Sequence, residues 1–334
     1  MIDVYLTIDT ECSMGGAWKD PLLKPVSPER AILGKVGNDY YGVPLLMDIL
    51  EQNHLRGTFF AEVLASCVLG EGDFREIYRN IAQRGHDVQL HLHPVYHYFR
   101  LVREGLLCQE QLPRTMDLIG SLPIGWQIEL LKRGRTIFRK LLGKTPIAFR
   151  AGCYGASLST LSALEKVGIR YDSSFNSMFR GSSCLIDTAS GTNTPWQVGT
   201  VWEVPVTSFE TGAWGMRRFK GLEVSAVSLW EMKQLLEKAL YLPMKTVVVI
   251  VHSFSLLKIK DLQFRQIRPD FLVISRFRGL CEFLRRRSED FRVVTFSDEP
   301  EFKTEYNQTP IPHMGTLVPA LRRLIQGVNR VYWL

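Results

Sequence analysis

Eight short apolar runs recur along this chain, separated by longer stretches, most of them helical in period, and that alternation constrains the fold more than any other feature. The runs are Ile2 to Glu11, Gly57 to Ala61, Gly85 to His93, Pro146 to Arg150, Gly168 to Asp172, Val201 to Val206, Thr246 to His252 and Phe291 to Phe296. Helical patterns occupy Val43 to Leu55, Asp73 to Arg84, Trp126 to Leu142, Ser157 to Val167, Ser228 to Leu240 and Phe271 to Arg287. Asp73 reads as the cap of the second of these, and Gly85 as its stop. The interval from Tyr98 to Lys144 reads as helical throughout, broken at Pro113 and Pro123. Strands alternating with helices imply a parallel sheet, and seven or eight of them imply a closed or nearly closed barrel, an irregular (β/α)7-8 α/β fold. The 334 residues then divide into a barrel over 1–299 and an appended segment over 300–334.

Several runs end on reactive side chains, as the catalytic face of a parallel barrel requires. In Asp87-Val88-Gln89-Leu90-His91-Leu92-His93-Pro94, a two-residue period puts His91 and His93 on one face, with Pro94 ending the strand. Same-face neighbours lie about 7 Å apart at the backbone, within reach of a common ion for imidazole side chains. Asp9 and Glu11 likewise share a face of the first run, and Arg150, Asp172 and His252 close three others. Carboxylates, histidines and an arginine gathered at one rim suit a single divalent metal that activates water, with zinc expected and nickel, cobalt or iron as alternatives. A spare carboxylate can take a proton and a histidine on another strand can return one, which amounts to hydrolysis of an amide or ester. A serine mechanism is excluded by the lack of a GxSxG elbow.

Composition sets the remaining bounds. The chain is 46% hydrophobic and 22% charged, enough apolar material for a large core, and its net charge of +7 is scattered, so no nucleic-acid partner is expected. Six widely spaced cysteines form no CxxC pair, which argues for reduced thiols in a cytoplasm. No apolar run reaches the length of a membrane span.

Taken in order, these segments resemble the polysaccharide deacetylases of the NodB-homology type, carbohydrate esterase family 4, over roughly residues 2 to 298. Thr7-Ile8-Asp9-Thr10-Glu11 is similar to the first motif, which implies Asp9 as general base and Glu11 as metal ligand. Gly57-Thr58-Phe59-Phe60 and Gly85-His86-Asp87-Val88 match the strand and the lead-in to the metal histidines. Phe149-Arg150-Ala151-Gly152-Cys153-Tyr154-Gly155 resembles the third motif, whose arginine orients the catalytic aspartate. Tyr171-Asp172-Ser173-Ser174 is similar to the fourth motif, and Ile250-Val251-His252 to the last, which carries the general acid. The resemblance implies a metal-dependent deacetylase of an N-acetylated sugar in a polysaccharide or glycolipid precursor. An allantoinase-like hydrolase of a small amide and a degenerate glycan-binding barrel are the alternatives. Tyr154 and Trp214 are the expected substrate contacts, and Asp172 is the carboxylate expected to raise the pKa of His252.

The sequence also departs from the family pattern. Counting from Gly85, the second metal histidine falls at Val95, which cannot bind metal. Either His91 with His93 from one strand face, or His93 with His97 in a shifted register, supplies the pair, and the strand period favours the first. Gly152-Cys153 replaces the usual Pro-Tyr, and Cys153 is expected as a buried thiol, with a place near the metal as the alternative. Pro300 to Pro312 reads as a loop. Thr316 to Leu334 reads as a cationic amphipathic helix that packs on the barrel, with peripheral membrane or partner contact as the alternative.

Overall fold

The structure, a computed structural model, describes residues 1–109, 112, 115–187, 192–211, 218–302 and 311–314. Its first half is β1 (Ile2–Thr10), α1 (Val43–Gln52), β2 (Thr58–Glu62), α2 (Glu71–Gln83), β3 (Asp87–Leu92), α3 (Pro94–Arg103), α4 (Ile124–Leu142), β4 (Ala148–Ala151), α5 (Leu158–Lys166) and β5 (Tyr171–Asp172). Its second half adds β6 (Trp196–Val198), β7 (Val201–Glu203), a hairpin of β8 (Ser208–Thr211) and β9 (Arg218–Gly221), α6 (Leu229–Tyr241), β10 (Thr246–His252), α7 (Phe271–Arg286) and β11 (Phe291–Val294).

Seven parallel strands curl in the order β10, β1, β2, β3, β4, β5, β7, with β6 turned back antiparallel on β7. On its other edge β1 is shared, pairing with β11 through Ile2–Tyr5 and with β2 through Thr7–Thr10. The two ends of the sheet meet through an irregular seam. Thr207 donates its N–H to the Val248 carbonyl (3.2 Å), Ile250 to Leu222 (2.9 Å) and Val224 to Ile250 (3.1 Å).

The two-residue period of each strand sorts the side chains. Val4, Leu6, Ile8, Phe59, Val88, Leu90, Val247 and Val249 face outward and are buried under the helices. Tyr5, Phe60, Ala148, Tyr171 and Val248 face inward, where Phe296 plugs the interior with its ring 5.0 Å from Tyr5, 5.7 Å from Phe60 and 5.8 Å from Tyr171. The inward positions nearest the carboxyl ends are polar, and they make the site.

Several sequence expectations need correction. Helix α2 starts after Gly70, a left-handed residue (φ 95°) that halts the preceding turn, so Asp73 lies in the first turn instead of capping it. Pro94 begins α3, since at the first helical position its missing N–H costs nothing. The interval from Tyr98 to Lys144 is not helical throughout: α3 ends at Arg103, and a short 3-10 turn at Ile119–Ser121 lies before α4. His313–Met314 pairs with β8. Trp214 and the stretch from Thr316 to Leu334 lie outside the described residues, as do 303–310 of the expected loop. Among the described residues no helix is long and apolar enough to cross a membrane.

Candidate metal centre

Parallel pairing sets the candidate residues side by side along one rim. Asp9 is in register with His252 on β10 and Phe60 on β2, Glu62 with His91 on β3, and His91 with Arg150 on β4. Because each occupies an inward position, their side chains converge.

Arg150 is completely buried and every part of its guanidinium is committed. Nη1 donates to Asp9 Oδ1 (2.6 Å) and Thr7 Oγ1 (2.9 Å), Nε to the Ser173 carbonyl (2.8 Å) and Nη2 to Ser173 Oγ (2.9 Å). Its charged carbon sits 4.3 Å over the Phe60 ring. A buried ion pair fixed this fully holds Asp9 in one pose, with Oδ2 turned toward His252 Nε2 at 3.9 Å.

Glu11, His91 and His93 form a three-residue group whose ligand atoms all lie within 4.8 Å of one another. Glu11 Oε2 is 3.0 Å from His91 Nε2 and 2.7 Å from His93 Nε2. The far ring nitrogens meet acceptors: His91 Nδ1 lies 2.8 Å from the Arg150 carbonyl, and His93 Nδ1 lies 2.8 Å from Asp117 Oδ2. With Nδ1 of each ring spent on its own acceptor, the two Nε2 atoms are the ones that face the carboxylate, and their lone pairs would serve an ion placed there. Such an arrangement calls for positive charge at its centre. Histidine metal ligands are oriented by this same far-side bond to a carbonyl or carboxylate. A tetrahedral zinc site has N–O edges of about 3.4 Å, so the group need open by only about 0.4–0.7 Å to take an ion. The residues fit a divalent metal.

The electrostatics agree. Burial opposes ionisation of Glu11, but the imidazoles of His93 and His91 outweigh it and hold the carboxyl well below its usual range. Burial likewise opposes a charge on His93, which Asp117 and Glu11 overcome, raising its pKa well above the ordinary value.

His252 stands at the opposite side of Asp9. Its Nδ1 is 3.7 Å from Glu223 Oε1, its backbone N–H donates to Ser255 Oγ (2.8 Å), and Phe254 stacks on its ring at 5.5 Å. Burial works against the imidazolium, but Glu223, Asp9 and Glu11 prevail and carry its pKa up to about 9.

Asp172 does not reach this histidine. Tyr171 and Ser173 take the inward positions of β5, so Asp172 points outward, where Ser174 Oγ donates to it (2.6 Å) and Glu203 lies in register on β7. Glu223 has the place expected for Asp172. His97 also lies elsewhere: as the next turn of α3 begins, its ring turns to a pocket with Tyr98, Trp126 and Arg133, and burial with Arg133 and Arg100 nearby pulls its pKa down to about 4. Cys153 is exposed instead of buried and takes the alternative place near the metal centre, because it and Tyr154 both adopt left-handed backbone (φ 54° and 58°) that lifts the thiol outward beside Asp117 (3.6 Å). Tyr154 is buried against Phe179, its ring stacked at 5.2 Å, and forms an apolar wall with Val206 and Ile250. Gly152 is required here: a Cβ would come within 2.5 Å of the His93 ring.

Asp117, Glu62 and Glu223 carried no motif in the sequence. Asp117 sits in irregular chain before α4 and also accepts from the Val95 N–H (3.0 Å). Glu62 is buried on the inward face of β2 and accepts from Leu64 and Ala65 N–H (2.9 and 2.7 Å), its pKa pushed up to about 7 by burial. Its alternation with Phe60 was the one readable signal. A cavity of about 200 Å³ opens beside the centre, lined by Glu11, Met14, His93, Tyr96, Asp117 and Phe254 among others. The larger cavity of about 630 Å³ between α1 and α2 contains none of the centre's residues.

No protein-family model matches the sequence, and a search of curated proteins finds no match. Solved structures do match in fold. A protein from Mycobacterium smegmatis assigned as a polysaccharide deacetylase has 17% identity and a TM-score of 0.52, over 92% of this chain and 94% of that one. The Puue allantoinase has 13% identity and a TM-score of 0.53, over 89% and 88%. A protein from Pseudomonas aeruginosa PAO1, also assigned as a polysaccharide deacetylase, has 12% identity and a TM-score of 0.50, over 89% of each chain. The chain therefore has the irregular (β/α) barrel fold of the polysaccharide deacetylase structures.

Proposed function

We propose that this protein is a metal-dependent hydrolase that removes the acetyl group from an N-acetylated sugar of a polysaccharide or glycolipid precursor, acting in the cytoplasm. The observation that carries the reading is the Glu11, His91 and His93 group on the same rim as the Asp9–Arg150 pair and His252.

In this reading Glu11 Oε2, His91 Nε2 and His93 Nε2 hold a divalent ion, zinc by first choice. When bound, the ion supplies Lewis acidity toward water and the acetyl carbonyl. Arg150 fixes Asp9 so that Oδ2 accepts the proton of the attacking water. His252 donates a proton to the leaving amine, and Glu223 keeps it charged until then. Tyr154, Val206 and Ile250 offer an apolar surface to the acetyl methyl group. Likeness in fold to polysaccharide deacetylases supports the substrate class.

Metal analysis combined with acetate release from N-acetylglucosamine oligomers tests the proposal. Asp9→Asn should lose kcat by about 10²–10⁴ while keeping metal. A protein that stays inert after zinc or cobalt loading is a binder, not this enzyme. The small cavity at the centre favours a second reading, hydrolysis of a small ureide as in the allantoinase fold relative, and allantoin in the same assay separates the two.

A further inference from the structure

His93 presents two nitrogens to two different sets of ligands. Its Nε2 faces Glu11 and His91, whereas its Nδ1 faces Asp117 and Cys153, a second group with ligand atoms within 4.8 Å of one another. Cys153 Sγ lies 3.6 Å from Asp117 Oδ2, and His93 Nδ1 lies 2.8 Å from that oxygen. For zinc-like bond lengths, a tetrahedral S–O edge is about 3.6 Å and an N–O edge about 3.4 Å. The first is already in place, and the second opens by about 0.6 Å. The three ligands come from separate segments, the end of β3, the chain before α4 and the turn after β4, so their convergence is a property of the fold. Cys153 is exposed, and Asp117 and His93 both line the cavity, which gives an ion access.

We propose that His93 Nδ1, Asp117 and Cys153 form a second cation site, one that selects thiophilic divalent ions and competes with the Glu11, His91 and His93 centre for the same imidazole. Soft thiolate ligation favours cadmium and zinc over hard oxygen-loving cations. The proton balance explains the competition. Binding releases the Cys153 Sγ proton and the His93 Nδ1 proton to solvent, and leaves the proton on Nε2 hydrogen-bonded to Glu11 Oε2, 2.7 Å away. A ring protonated at Nε2 can no longer serve the first centre. The inference rests on Glu11, His91 and His93 being that centre.

Cadmium is the probe, read by the ultraviolet charge-transfer absorption of a cadmium thiolate in the full-length protein. One equivalent should raise this band in the wild type and in His91→Ala, which keeps all three ligands of the second site. Cys153→Ser should lose the band yet still bind cobalt. Cadmium should displace cobalt from the wild type about tenfold or more readily than from Cys153→Ser. A band that persists in Cys153→Ser comes from another thiol, such as the exposed Cys108, and overturns the proposal. So does a wild type without the band, or its loss in a folded His91→Ala. Acetate release is independent of this readout, so a protein that takes up cadmium but hydrolyses nothing would refute the hydrolase reading and leave the second site standing.

Discussion

At the scale of single residues, the site divides its work between groups that are locked and one that titrates. His252 must be protonated to donate, and Glu223 and Asp9 raise its pKa, hence kcat/KM of the metal-loaded protein should fall on the alkaline side as this proton is lost, below the value of about 9 that holds before a cation offsets Glu11. Glu223→Gln removes the charge 3.7 Å from Nδ1 that helps raise that value, and should shift this alkaline limb downward in a pH–rate profile. An unmoved limb would show that Glu223 has no part in proton delivery. His252→Ala should cost about 10²–10⁴ in rate with metal content unchanged. On the other side, Asp117→Asn leaves His93 without its charged orienting partner, and metal titration should show affinity weakened about 10–100-fold. Of these residues, His91, His93, Asp9 and Arg150 were readable because strand period and register dictate where they point. Asp117 and Glu223 were not, since irregular chain carries no period from which to infer a facing.

At the scale of elements, legibility followed strand length. β1 and β3 alternate over six or more residues, and their inward faces are determined by sequence alone, whereas β10 is a run of Val and Ile whose facing shows only in its closing His252. β5 has only Tyr171 and Asp172, too few to show which is inside, and the aromatic takes the interior while the acid goes out. The result is a buried carboxyl pair, Asp172 with Glu203, each raised in pKa chiefly by burial. Carboxyls with raised folded values bind protons that the unfolded chain releases, so their contribution to stability declines as pH climbs from the ordinary carboxylate range through the raised values. Glu203→Gln removes one titrating member, and urea denaturation should show it gaining on the wild type at mildly alkaline pH while matching it in acid. A wild-type slope unchanged by the substitution would mean the pair does not share its proton. The helices were legible from amphipathic period, except where Pro94 opened α3 directly behind β3 instead of merely ending a strand.

At the scale of the whole molecule, the barrel has a plugged end and a reactive end. Phe296→Ala empties the ring cluster with Tyr5, Phe60 and Tyr171 and should cost about 3–5 kcal/mol in chemical denaturation while leaving metal affinity unchanged. A large loss of metal affinity in the folded variant would instead show that the plug sets the geometry of the rim. The seam between β10 and the chain at Thr207 and Leu222–Val224 runs beside the same rim, and its few bonds replace a regular ladder. His252 stands on one bank of that seam and Glu223 on the other, whereas Glu11 follows β1, on the far edge of β10 from the seam, and His91 and His93 lie on and just after β3, two strands further on. Local opening follows the weakest hydrogen bonding, so amide exchange should be faster at Val224 and Ile250 than along β1 to β3. Breathing of the seam then parts the proton donor from its carboxylate while the ion's three ligands stay together, and the molecule passes through moments when it is charged with metal but unable to complete a turnover.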